Sequence, residues 1–141
     1  MKEPRWIDER DAKTLHAKLV AIHGGSDGIR DEGLLASALA RPRQQYAYVE
    51  KADLAAMAAA YTAGIVRNHP FIDGNKRVGF VVGVLFLEMN GCAFQASEEL
   101  AARAVIDLAA GSLSEAEYAQ FLERNATRTK RSSAMRPRAR R

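Results

Sequence analysis

At 141 residues and 15.5 kDa the chain has room for one domain, long enough to bury about two-thirds of its unfolded surface. Its single cysteine, Cys92, excludes a disulfide framework and a cysteine-based zinc site, as expected in a reducing compartment. The net charge of +4 belongs to the end of the chain: residues 126–141 carry seven Lys or Arg and no acid, which leaves −3 for residues 1–125 and no basic nucleic-acid surface on the body.

The opening MKEPRWIDER has no apolar stretch and is no secretory signal, so a cytoplasmic protein with no membrane partner is expected. Asp8 reads as a helix N-cap, with Asp11 three residues on in the place of a capping-box acid. Leu15, Leu19 and Ile22 form the apolar stripe, and Gly24-Gly25 stops it. His16 and His23 read as surface or packing residues. The three histidines are too scattered for a metal motif.

A second helix is predicted from Asp31, carrying Leu34, Leu35 and Leu39 and ending before Pro42. Arg43 to Lys51 alternates weakly and holds Tyr46 and Tyr48, and reads as a plain connector with its aromatics packed down. Asp53 caps the next helix, in which Leu54, Met57, Tyr61 and Ile65 recur at helical spacing as far as Asn68.

Arg67 to Met89, RNHPFIDGNKRVGFVVGVLFLEM, is a polar loop running into ten apolar or glycine residues, Val78 to Leu87. That run is too short to span a membrane and apolar on all sides, so it is expected to be the central buried helix. Pro70 disfavours helix at His69 and Asp73-Gly74 signals a turn, so the helix begins near Asn75. Gly79 and Gly83 cost helix propensity of roughly 1 kcal/mol each, which predicts a close helix crossing.

Lys76 and Arg77 then fall in the first turn, where cations oppose the helix dipole and the backbone N–H groups are unpaired. An anion is called for, and phosphate fits. Asp73 can hold a Mg²⁺ shared with such phosphates, and His69 can take a proton from an attacking hydroxyl. Each residue alone has an ordinary reading, as helix-end cap, turn or solvated face. The residues leave two functions open: nucleotide-dependent phosphate chemistry, or a non-catalytic module that holds a phosphate and binds RNA through the basic tail.

Asn90-Gly91 stops the central helix, and Cys92-Ala93-Phe94 reads as a short extended segment. Ser97 caps a helix through Ala110 that Gly111 ends, and Ser114 with Glu117 makes a capping box for a last helix carrying Tyr118, Phe121 and Leu122. No apolar periodicity remains from Ala126. The expected organisation is an all-α domain over 1–125 and a disordered basic tail over 126–141.

HPFIDGNKRVGF, His69 to Phe80, resembles the signature of the Fic/Doc family (filamentation-induced and death-on-curing proteins), H-x-F-x-[D/E]-[G/A]-N-[G/K]-R-x-x-R. It matches at His69, Phe71, Asp73, Gly74, Asn75, Lys76 and Arg77 and departs at Phe80, which replaces the last Arg. Lys76 and the apolar last place resemble the death-on-curing branch, the toxins of toxin–antitoxin pairs. GIRDEGLLASALARP, Gly28 to Pro42, is similar to that branch's N-terminal region, and the resemblance spans most of residues 5–125.

The resemblance implies a compact six-helix bundle in which a target hydroxyl attacks a phosphate of ATP, and it offers a second reading of Arg43 to Lys51 as a short β-flap that aligns a substrate segment. His69 is then the base and Asp73 holds Mg²⁺. Asn75, Lys76 and Arg77 hold phosphate oxygens, Gly74 admits the nucleotide, and Phe71 anchors the loop. Arg30 and Asp31 either line the nucleotide cleft or form an ordinary loop ion pair. Without the last Arg, the resemblance favours transfer of the γ-phosphate to a Ser or Thr of elongation factor Tu, halting translation, over AMP transfer to a protein hydroxyl. Gly74, where that branch often has Ala, keeps the AMP transferase in view. Relatives of the inhibited kind carry [S/T]-x-x-x-E-[G/N]. Here Glu123 is followed by Arg124 and preceded four places earlier by Ala119, so a separate cognate antitoxin is expected.

Overall fold

In the computed structural model, which describes residues 2–49 and 53–129, six helices are followed or interrupted by two short strands. They are α1 (Glu9–His23), α2 (Glu32–Tyr48), α3 (Leu54–Asn68), α4 (Asn75–Met89), β1 (Cys92–Phe94), α5 (Glu98–Ala110), α6 (Glu115–Arg124) and β2 (Ala126–Arg128). The all-α bundle is as expected. No helix of the described residues is long and apolar enough to cross a membrane.

The caps fall where the sequence puts them. Asp8 and Asp11 close a reciprocal capping box on α1, and Ser114 and Glu117 another on α6. Asp31, Asp53 and Ser97 each accept the backbone N–H of the third residue of α2, α3 and α5, satisfying donors that a helix start leaves unpaired.

The helix buried on every side is α3, in which Met57 to Val66 are all buried; α4 buries one face, through Val78, Val82, Phe86 and Leu87 with the two glycines. The expectation of α4 as the centre is thus corrected. Alanine does not stand out in a hydropathy run, yet Ala58, Ala59, Ala60 and Ala63 are small enough to let α2, α4 and α6 close on α3 together. The predicted close crossing is present: Thr62 Oγ1 donates to the Gly79 carbonyl at 2.8 Å, and a Cβ on Gly79 would lie 3.0 Å from Val66 Cγ1. On the opposite side of α3, Gly64 lies against the Ala38 backbone of α2.

Three further expectations are corrected. Pro42 does not end α2; the helix runs through it to Tyr48, with Pro42 buried. A proline costs the bond to the carbonyl four residues back. The helix is held across that gap by Arg41, which donates to Ala60 O (3.0 Å) and Glu115 Oε1 (2.6 Å), tying α2 to α3 and α6. A β-flap over Arg43–Lys51 is likewise replaced by helix as far as Tyr48, with Tyr46 edge-on to Trp6 and Tyr48 exposed; residues 50–52 lie outside the described residues.

The body also extends past 125. Ala126–Arg128 pairs antiparallel with Cys92–Phe94 in the register Cys92↔Arg128, Ala93↔Thr127 and Phe94↔Ala126. A backbone ladder needs no apolar periodicity, which is why these residues read as tail. The rest of the tail, 130–141, lies outside the described residues.

Candidate functional site

The packing of α3 against α4 fixes the two ends of the loop that joins them. His69 is the first residue past α3, in the left-handed conformation (φ 55°, ψ 52°), with its N–H bonded to Ile65 O at 3.0 Å. It is the one non-glycine residue with positive φ among the described residues. An L-residue there costs on the order of 1–2 kcal/mol, so neighbouring contacts must hold it.

Pro70 and Phe71 are buried beneath the loop, while Ile72 and Asp73 are exposed. Gly74, at φ 78°, supplies the turn into α4, whose first turn has no side-chain cap. Lys76 and Arg77 on that turn are exposed, as is His69. His69, Asp73, Lys76 and Arg77 are thus all exposed within one loop and the first turn of α4, whose start has no side-chain cap.

Asn75 departs from its expected role. It is 3% exposed; its Oδ1 accepts Phe71 N–H (3.0 Å) and its Nδ2 donates to Phe71 O (3.0 Å). Those two bonds fix which end of the amide is which, and the other N–H of Nδ2 faces His69 Nδ1 at 3.1 Å. The side chain thus holds the loop and the imidazole, and only the Asn75 backbone N–H is left for a phosphate. A neutral His69 in this arrangement carries its hydrogen on Nε2.

The Asp73 carboxylate accepts N–H bonds from Ser26 (Oδ2, 3.2 Å) and Gly74 (Oδ1, 2.9 Å). These two bonds, Ser26's first, hold its pKa below the usual carboxylate value, with Arg77 and His16 adding to the effect against a partial desolvation. Asp73 is therefore ionised at neutral pH and retains lone pairs toward solvent. The described residues contain no group of three His, Cys, Asp or Glu side chains able to hold a metal. The donor set fits Mg²⁺, which is commonly held by one or two carboxylates with phosphate oxygens and water as its other ligands.

Two residues that the sequence reading gave other work hold the loop. His16 is 3% exposed, stacks on Phe71 (centroids 4.0 Å apart, planes at 8°) and bonds through Nε2 to Asp73 O at 2.7 Å. A packing role was expected for it; the bond to the Asp-Gly turn was not. The available signal was its spacing of four from Ala12, which puts both on the buried face of α1. Arg30 donates from Nε to His69 O (2.7 Å) and from Nη2 to Asn68 O (2.8 Å), while Asp31 caps α2. Neither the cleft-lining nor the ion-pair reading of Arg30 and Asp31 describes these contacts.

Phe80, at the place of the motif's last Arg, packs edge-on to Phe94 (5.9 Å, 74°) against the core and carries no charge for a phosphate. A shallow cavity of about 850 Å³ elsewhere, lined by residues such as Arg5, Asp53, Asn90 and Cys92, contains no residue of the motif. The chemistry-bearing groups fix the site, and that cavity does not.

A model of the Fic/DOC family matches residues 6–87, which include α1 to α3, the loop and nearly all of α4. The chain is similar to the protein named Protein kinase doc of Escherichia phage P1, at 33% identity over 120 residues covering 85% of this chain and 94% of that protein. It is also similar to the protein named Toxin Doc of Mycolicibacterium smegmatis, at 38% identity over 87 residues, 61% of this chain and 65% of that one.

Proposed function

Since this chain belongs to the Fic/DOC family, we propose that it is the toxin of a toxin–antitoxin pair and acts as a protein kinase on a cytoplasmic translation factor. Its substrates are ATP with Mg²⁺ and a Ser or Thr hydroxyl of an elongation factor Tu-like protein, and a cognate antitoxin restrains it. The relatives' names, a protein kinase and a toxin, support the class. The observation that carries the chemistry is the single exposed cluster of His69, Asp73, the uncapped start of α4, Lys76 and Arg77.

Phosphoryl transfer asks a protein mainly for positioning and for positive charge around the equatorial oxygens. The backbone N–H groups of Asn75, Lys76 and Arg77, with the Lys76 and Arg77 side chains, supply both. Gly74 keeps side-chain bulk away from the nucleotide. Mg²⁺, when bound, neutralises charge on the phosphates, and Asp73 is the residue to hold it.

The hydroxyl oxygen forms a bond to the γ-phosphorus as the bond to the β–γ bridging oxygen breaks, and ADP leaves. The hydroxyl proton passes to His69 Nε2, the ring nitrogen that Asn75 does not engage. To accept it there the ring must carry its own hydrogen on Nδ1, so the contact between the ring and Asn75 Nδ2 must open as the hydroxyl docks. With Phe80 packed on Phe94, no arginine at that place seats a triphosphate with its α-phosphate toward His69, which favours γ-transfer over AMP transfer.

The test is incubation of the protein and its His69→Ala variant with Mg²⁺, elongation factor Tu and ATP labelled at the α- or γ-phosphate. Label from the γ-position alone, lost in the variant, is expected. Label from the α-position would make the protein an AMP transferase. Silence from both in whole-cell lysate would favour the phosphate-holding module.

A further inference from the structure

We infer that Arg30 is the positioning residue for His69: its guanidinium holds the strained backbone that presents the imidazole. The inference rests on the proposed role of His69 and concerns a residue outside the motif.

Three observations converge on it. His69 is left-handed where an L-residue is disfavoured, and proline at 70 also keeps it from simply continuing α3. A terminal residue in that state would ordinarily be glycine. Arg30 then meets the two carbonyls on either side of the His69 N–Cα unit, donating from Nε to His69 O at 2.7 Å and from Nη2 to Asn68 O at 2.8 Å. These are carbonyls at the C-terminal end of α3, where no intrahelical partner exists and the dipole is negative, so a planar cationic fork suits both at once.

Arg30 is itself anchored to the loop. Its backbone N–H and that of Asp31 donate to Pro70 O (2.7 and 3.0 Å), and Ile72 N–H donates to Gly28 O (3.1 Å), forming the isolated bridge Ile29↔Phe71. Asn68 Nδ2 meanwhile bonds Leu34 O at 3.0 Å. The start of α2 and the loop are one unit, and the guanidinium is its contact with the residue that bears the base. Two of the guanidinium's five N–H groups are thereby given to the backbone oxygens of Asn68 and His69, so its contact is with the residue that bears the base.

The experiment compares the full-length protein with Arg30→Ala and Arg30→Lys in the γ-labelled ATP assay with elongation factor Tu. For both variants kcat should fall about 10- to 100-fold, the cost of a small misplacement of a reacting group. KM for ATP should hold within about twofold, since the phosphate-binding groups are untouched. Lysine fails because a point charge cannot bridge the two carbonyls. Methylguanidinium should restore part of kcat to Arg30→Ala, and methylammonium should not. An unchanged kcat would overturn the inference, and so would a raised KM at constant kcat, which would make Arg30 a phosphate contact. In parallel, NMR should find the His69 ring and amide signals shifted in Arg30→Ala while the Trp6 indole signal stays in place; unshifted His69 signals would also overturn it. Should the unaltered protein move no label, the functional reading fails and the NMR comparison alone decides the inference.

Discussion

The Asn75 side chain donates to His69 Nδ1 across 3.1 Å while its remaining polar groups are taken by the Phe71 backbone. One buried amide therefore sets both the path of the loop and the tautomer of the exposed imidazole. Asn75→Ala leaves Phe71 N–H and C=O without partners in a buried place, at about 1–3 kcal/mol for each group. It should unfold at distinctly lower temperature and lose transfer. Asn75→Asp keeps an acceptor for Phe71 N–H and offers a second one to His69 Nδ1–H, which frees the Nε2 lone pair. Calorimetry with label transfer should rank Asp above Ala in activity even though its carboxylate faces Phe71 O. Equal inactivity of both would count against the tautomer account.

His16 offers a separable pair of contacts, a ring stacked on Phe71 and a hydrogen bond to Asp73 O. His16→Phe keeps the first and removes the second, so stability should fall by about 1 kcal/mol, the net worth of one hydrogen bond. Transfer should fall further than that, because the Asp73-Gly74 turn also sets the start of α4. His16→Gln, which can place a donor near the Nε2 position, should recover activity relative to Phe without recovering the stacking. Thermal melts and initial rates on the three proteins check this.

Asp73 gives a pH dependence with a definite sign. Bonds from Ser26 and Gly74 N–H lower its pKa in the fold, so the folded state binds this proton less readily than the unfolded chain does. The resulting stabilisation is fully present above the ordinary carboxylate value of about 3.9 and is lost as pH falls through the lower, folded value. Chemical denaturation of the protein and Asp73→Asn should therefore differ at pH 5 to 7 and converge in strong acid. A constant gap across that range would remove the assigned cause.

The motif was legible because its groups are local: a helix end, a turn and a helix start lie within nine residues, His69 to Arg77, and each has its own sequence signal. The caps were legible for the same reason. What supports the motif was not, because Arg30 and His16 reach it from 39 and 57 residues away, and no local rule pairs a loop arginine with a distant carbonyl. Pro42 inside α2 and the strand at Ala126–Arg128 were missed in the opposite way. There a correct local rule, a helix break or a polar tail, yielded to tertiary contacts through Arg41 and to pairing with Cys92–Phe94.

The α3–α4 crossing sets the width of the loop it supports, and Gly83 is its tightest point. A Cβ there would run into Thr62 Oγ1 and lie 3.1 Å from Ala58 O. Thr62 cannot move aside freely, because its hydroxyl is bonded to Gly79 O in a fully buried place. Gly83→Ala should gain helix propensity of roughly 1 kcal/mol, yet overpacking of this kind costs typically about 1–3 kcal/mol, so the net sign is destabilising or close to zero. The double variant Thr62→Ala/Gly83→Ala removes the clash, and its effect should fall short of the summed single effects, as expected of two side chains in contact. Because α4 would be pushed away from α3, Gly83→Ala should also lower phosphate transfer while leaving every side chain of the motif intact. Denaturant melts and transfer rates on the two single variants and the double variant give the coupling. Strict additivity would mean that the helices close on each other through other contacts, and the loop geometry would then not depend on this crossing.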